Sequence, residues 1–295
     1  MNFYHKTVLL QETVDLLRVE PGKLFIDATL GGGGLAKAIL DKGGKLLGID
    51  LDDDALSYSG KLLKDYDDKV LVKGNFKDID EIASKHGFQK IEGIVVDLGL
   101  SSHQIDDKTR GFSYVGDALL DMRMDQSQAI KASDLLNIAG KDKLYEIFTE
   151  FGQEPRSRAI TNSIISARRI KAFQNSRDLT EIIDKVYRIG KGAPMKIKAQ
   201  AYNRIFQGLR MAVNDELTNL TAVLPKALNL LEKGGRLVVI SFHSLEDRIV
   251  KQAFLDFEKK GLGVVLTQKP ITPSFTEITD NRRSKSAKLR AIERL

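Results

Sequence analysis

The first hundred residues switch between strand-like and helix-like hydrophobic spacing again and again, and few architectures accept that rhythm. KLFIDAT (23–29) reads as a strand, the glycine run 31–34 breaks it, and LAKAILDKGG (35–44) carries helical spacing closed by glycines. KLLGID (45–50) is a second strand, and Asp52 or Asp53 is placed to cap a helix through about Leu63. VLVKGNF (70–76) and IEGIVVDLGL (91–100) flank another short helix. Continuous apolar strands joined by single helices predict a parallel sheet covered on both faces, with right-handed crossovers: a doubly wound α/β domain. Such sheets bind ligands beyond the carboxyl ends of their strands. Gly31 to Gly34, Asp50, Phe76 and Asp97 all fall there.

From about Arg110 the rhythm changes, and no strand pattern returns before GGRLVVISF (234–242). SDLLNIAG, KDKLYEIFTEFG, PRSRAITNSIISARRI, DLTEIIDKVY and a long pattern from Ala199 to Leu231 read as helices. Pro225 should kink the last of these or start a new helix. RLVVISF and GVVLTQK (263–269) then resume the strands, with a helix between them capped by Ser244 in the box Ser244 to Asp247. The expected organisation is a discontinuous α/β domain, 1–109 and 214–295, interrupted by a helical insert, 110–213.

Charge follows that division. The net +6 comes from 46 basic and 40 acidic residues, but residues 155–210 alone carry +10 and the tail from Arg282 onward +5, leaving −9 elsewhere. An acidic body with two basic regions suits a protein that meets a polyanion, although a solvated helix face explains the charge equally well. With 42% hydrophobic and 29% charged residues the chain is expected to fold. The absence of cysteine excludes disulfides, thiolate metal sites and thiol nucleophiles. The four histidines have no metal-ligand spacing, so no metal is expected. The N-terminus carries acids where a signal peptide is apolar, and no run approaches the roughly 18 apolar residues of a membrane span. A cytoplasmic protein without membrane anchoring is expected.

Gly31, Gly33 and Ala36 satisfy G-x-G-x-x-G/A with Asp50 on the next strand end, which keeps a nicotinamide or flavin dinucleotide open, as well as a tight turn with no ligand. Asp27 before the glycines, the aromatic Phe76 and the acid Asp97 tilt the reading toward S-adenosylmethionine. A cationic amino acid moiety can use those carboxylates, whereas two phosphates gain nothing from them. DLGLSS (97–102) can place carbonyls and hydroxyls beside a reacting atom, or can be a turn with local hydrogen bonds. His103 offers a lone base or an ordinary surface residue. In SFHSLED (241–247) no G-x-S-x-G elbow accompanies the histidine and serine, so His243 is at most a wall of the crevice.

The segments DATLGGGG, LLGID, GNF, DLGLSSHQIDD, RGFSY, LDMRMD, FQGLRMAVNDEL, GGRLVVISFHSLEDRIVK and RSKSAKLRAIERL occur in order from Asp27 to Leu295, within a likeness that starts at Tyr4. In this the chain resembles the bacterial 16S ribosomal RNA (cytosine-N4)-methyltransferases, the RsmH or MraW type. The resemblance implies a Rossmann-like methyltransferase with a helical insert, which uses S-adenosylmethionine to methylate the exocyclic amine of a cytidine in the decoding region of 16S rRNA. It implies cofactor contacts at Gly33, Gly34, Leu35, Asp50, Phe76, Asp97 and Gln104. Leu35 and Ala36 stand where the family usually has histidine and serine, so only a backbone contact is expected from Leu35. KIKAQAYNRIF (196–206) likewise replaces a more usual histidine-proline segment.

A cytosine amine is a poor nucleophile, so an acceptor for its N–H is required. Asp97, with a carbonyl of Leu98 or Gly99, is expected to hold it, with Ser101 as a secondary contact. Arg158, Arg168, Arg169, Arg282, Arg283, Lys285 and Lys288 are expected to hold phosphates, unless the basic tail packs structurally on the sheet edge. The expected partner is 16S rRNA within the small ribosomal subunit, with a homodimer allowed. The rival readings are an NAD(P)-dependent oxidoreductase and a non-catalytic rRNA-binding assembly factor.

Overall fold

The computed structural model describes residues 7–190 and 192–295, without the side chains of residues 102 and 103. The chain divides into two compact units, one formed by residues 1–101 and 217–295 and the other by residues 102–216.

The first unit contains β1 (Leu24–Asp27), β2 (Lys45–Asp50), β3 (Lys69–Lys73), β4 (Ile91–Asp97), β5 (Leu231–Ser241), β6 (Gly263–Val265) and β7 (Lys288–Arg294). They form one sheet in the order β3-β2-β1-β4-β5-β7-β6. The five strands from β3 to β5 are parallel, and β7 runs antiparallel between β5 and β6. Side chains alternate across the sheet, as strand geometry requires. Ile26, Ile94, Val96, Leu237 and Val239 enter one core, while Phe25, Val95, Val238 and Ile240 enter the other. Both faces are therefore dry, which is why these strands read as unbroken apolar runs. The α/β class expected from sequence is the observed one.

Three local expectations are decided. The Asp52 side chain accepts from Asp54 N at 3.1 Å and caps the helix Asp53–Leu62, so Asp52 is the cap of the two candidates. No new helix begins at Pro225: the helix Glu216–Leu230 runs through it, and the break falls at Asp215, which takes a left-handed φ of 50°. The cap of the helix Ser244–Lys259 is His243, not Ser244. Its ring accepts from Glu246 N at 3.3 Å, and Glu246 reaches back to Phe242 N and His243 N at 2.7 and 3.2 Å. That shift of one residue releases Asp247 to pair with Lys288 and Arg290 of β7 at 2.9 and 2.7 Å. The tail is thus an interior strand of the sheet, neither a mobile arm nor an edge.

The second unit is helical around its own core of Leu136, Ile147, Phe148, Ile160, Ile205 and Leu209, among others. Its longest helix is Met195–Asn214. No helix among the described residues is long and apolar enough to cross a membrane.

Candidate active site

The segment after β1 is stitched to the strand on either side of it. Ala28 N donates to Val95 O and Leu30 N to Ile49 O, both at 2.9 Å, while Asp97 N donates to Thr29 Oγ1 at 2.6 Å. The chain then turns through Gly31 and Gly33, with φ of 48° and 74°, values that favour glycine. At Gly34, which opens the helix Gly34–Asp41, a Cβ would stand 1.9 Å from Thr7 Oγ1. These glycines are demanded by the turn itself, and the same lack of side chains leaves its backbone open to a ligand.

Three carboxyls surround this turn. Asp27 ends β1 and is only 1% exposed; it accepts from Thr29 N at 3.2 Å. Burial pushes it up to about 7, and the nearby carboxyls of Asp97 and Asp50 add to the rise. Asp50 ends β2 and accepts from Gly31 N at 2.7 Å and Asp52 N at 2.9 Å. Burial raises it to about 6 against the pull of those donors. Asp97 ends β4 and accepts from Gly99 N at 3.3 Å; burial, with a contribution from Glu246, raises it to about 7. Among the described residues no lysine or arginine pairs with any of the three. Buried acids without a counter-cation fit a cationic ligand and oppose a polyphosphate one.

The β5 side completes the wall. Leu98 N donates to Ile240 O at 3.0 Å, and a Cβ on Gly99 would lie 2.9 Å from the Phe242 ring. Gly99 thus lets the strand end settle on Phe242. Glu246 holds Phe242 N and is itself buried. His243 Nε2 is 3.0 Å from Glu246 Oε1 but off the hydrogen-bond direction.

The MraW methylase family matches residues 2–295. The chain belongs to that family. The ribosomal RNA small subunit methyltransferase H of Lachnospira eligens is 38% identical over 317 residues, covering all of this chain and 99% of that protein. The protein of the same name from Clostridium botulinum strain Loch Maree is 39% identical over 315 residues, covering both chains fully. Among solved structures, an rRNA methylase from Streptococcus thermophilus shares 12% identity and a TM-score of 0.45 over 98% of each chain. As a member of the MraW methylase family, the chain is a methyltransferase.

The remaining expected residues of this methylase are spread over both units. Leu35 and Ala36 are buried in the apolar core, so their side chains serve packing. Phe76 opens a 3-10 turn capped by Asn75 and leans on the other core. Ser101 ends the first stretch of the α/β unit, and Gln104 is a buried residue of the second unit, on the helix Ser102–Asp106. The side chain of His103 lies outside the described residues. Arg158 lies on the helix Ser157–Ala167, 6.0 Å over the Tyr145 ring, and Arg169 is exposed. Arg282, Arg283 and Lys285 are exposed on the 3-10 turn Arg282–Ser286.

Two of the expected phosphate ligands have duties within the fold. Arg168 donates to Leu136 O and Ala139 O at 3.1 and 2.7 Å, closing the end of the helix Ala132–Ile138. Lys288 pairs with Asp247. Sequence reasoning missed Glu246 altogether. Its signal was the spacing of an acid three residues after His243, hidden because Ser244 offered the more familiar cap.

Proposed function

We propose that the chain transfers a methyl group from S-adenosylmethionine to N4 of a cytidine in the decoding region of 16S rRNA, in the cytoplasm. The observation that carries the reading is the trio Asp27, Asp50 and Asp97: the first buried and the other two half-buried, none paired with a cation among the described residues, and all gathered on one glycine turn of a methylase. The name carried by its relatives supports the rRNA substrate. Asp27 would hold the cationic methionine end, Asp50 the ribose and Phe76 the adenine, beside backbone groups of Gly33, Gly34 and Leu35; Gln104 completes the proposed set. Residues 110–213 would serve rRNA recognition through Arg158 and Arg169, the expected role of Arg168 being taken by its bonds to Leu136 O and Ala139 O.

When bound, the cofactor supplies a methyl group already activated on a sulfonium. The chain's task is to bring the amine in line and to take its proton, since the nitrogen gains a bond to carbon and must lose one to hydrogen. Asp97, with a proton affinity near neutrality, both accepts the N–H hydrogen bond and receives that proton. Ser101 is the second contact. The deciding experiment is nucleoside mass spectrometry of 16S rRNA from cells lacking the gene: loss of N4-methylation at one cytidine is expected, and full retention would sink the assignment.

A further inference from the structure

Phe275 is 84% exposed and belongs to none of the hydrophobic cores of the described residues. Its backbone is nevertheless firmly held. Ile271 exchanges both backbone hydrogen bonds with Leu289 of β7, at 3.0 and 2.9 Å, and Pro273 is buried. Ser274 caps the helix Phe275–Asp280 through Glu277 N at 3.1 Å, and the Glu277 carboxylate accepts from Leu9 N at 2.8 Å. The chain passes directly into the turn Arg282–Ser286, where Asn281 accepts from Arg283 N at 3.2 Å and the buried Ser284 donates to Asn281 O at 2.8 Å. The ring is thus held in water by an ordered turn. Neither helix propensity nor core packing calls for an aromatic residue there.

Its surroundings say what it can bind. Thr276, Thr279 and Asp280 are the other exposed residues of its helix, so among the described residues the exposed apolar surface of this helix is a single ring, too small for the core of a protein interface. Arg282, Arg283 and Lys285 follow, all exposed, with Asp280 the exposed acid at the end of the helix. One flat ring beside a group of cations matches the chemistry of single-stranded nucleic acid, which offers a base face and flanking phosphates; a duplex keeps its bases stacked away.

We infer that Phe275–Ser286 is a docking platform for unpaired RNA, with Phe275 stacking on one base and Arg282, Arg283 and Lys285 holding the adjacent phosphates. This rests on the rRNA reading above and adds to it a mode of grip on the α/β unit.

The test measures binding by the full-length chain to a labelled single-stranded fragment of 16S rRNA and to a duplex of equal length, over a salt series. Phe275→Ala should melt like the parent, bind the single strand about tenfold more weakly and keep the salt slope. Phe275→Trp should restore binding. Arg282→Ala/Arg283→Ala/Lys285→Ala should lower the slope by about 2, the value for three phosphates on a single strand. Single-strand binding by Phe275→Ala within twofold of the parent, an equal loss on duplex, or no recovery with Trp would each overturn the platform. Methyl transfer to small subunits by the parent protein is followed in parallel. Transfer with unaltered binding by the variants removes the platform alone, whereas a parent that neither binds nor methylates removes the rRNA reading with it.

Discussion

Both units bury acids, and they treat them in opposite ways. In the helical unit Glu154, with a fully buried side chain, accepts from Arg204 Nε and Arg156 N, each at 2.8 Å, and from the Tyr187 hydroxyl. Asp184 accepts from Lys198 and from the Tyr202 hydroxyl, both at 2.6 Å; burial and that bond push the tyrosine well above its usual range. In the α/β unit Asp27, Asp50 and Asp97 have backbone N–H donors and no cation among the described residues. A buried charge is costly unless paired, so the first arrangement is complete within the fold and the second is the one that suits a cationic ligand. Burial does not sort the five, since the buried Glu154 and Asp27 fall one in each unit; their partners do.

The contrast breaks most visibly at Glu154. Glu154→Ala strands Arg204 and the Arg156 N–H, and should cost about 3–5 kcal/mol of stability in denaturant unfolding. A loss under about 1 kcal/mol would make the cluster ornamental. Asp97→Asn should behave in the reverse manner. Stability should hold or rise, while the single-turnover rate of methyl transfer at saturating cofactor falls by about 100-fold or more. Weakened cofactor binding with an unchanged saturated rate would confine Asp97 to the cofactor.

Titration sharpens the same contrast. A carboxyl raised in the folded state binds a proton that the unfolded chain has released, so its stabilising contribution is complete below about 4 and is lost as pH rises to about 7. A cationic cofactor prefers the ionised form, so its affinity should climb by about tenfold between pH 5.5 and 7.5, with proton release in calorimetry across buffers of different ionisation heat. Asp27→Asn should remove part of that release; a flat profile would mean the acids are not at the cofactor. The smallest effect is expected from Lys288→Ala, which loses one half-exposed pair and should cost under about 1 kcal/mol in a melt. Arg290 still holds Asp247 in that variant.

Much of this was legible in the chain. The strands KLLGID and IEGIVVD announce themselves because a sheet covered on both faces wants unbroken apolar runs, and the acids at their ends follow from where those runs stop. The tail was harder: SAKLRAIERL carries Lys288 and Arg290 at alternate positions, and the pairing with β5 and Asp247 that draws it into the sheet is with residues 40 and more positions away. Ser244 against His243 was a choice between adjacent caps, decided by the reach of the Glu246 carboxylate to Phe242 N.

The sequence by itself determined the fold class, the methylase resemblance and the positions of Asp27, Asp50 and Asp97, because hydrophobic period and punctuation are local properties. Only the tertiary structure decided which charges already have partners. Arg168 and Lys288 look no different in the chain from Arg282 and Lys285, yet the first two close a helix and a strand. Pairing is settled by distance across the fold, and a linear pattern of like-looking cations does not contain that distance.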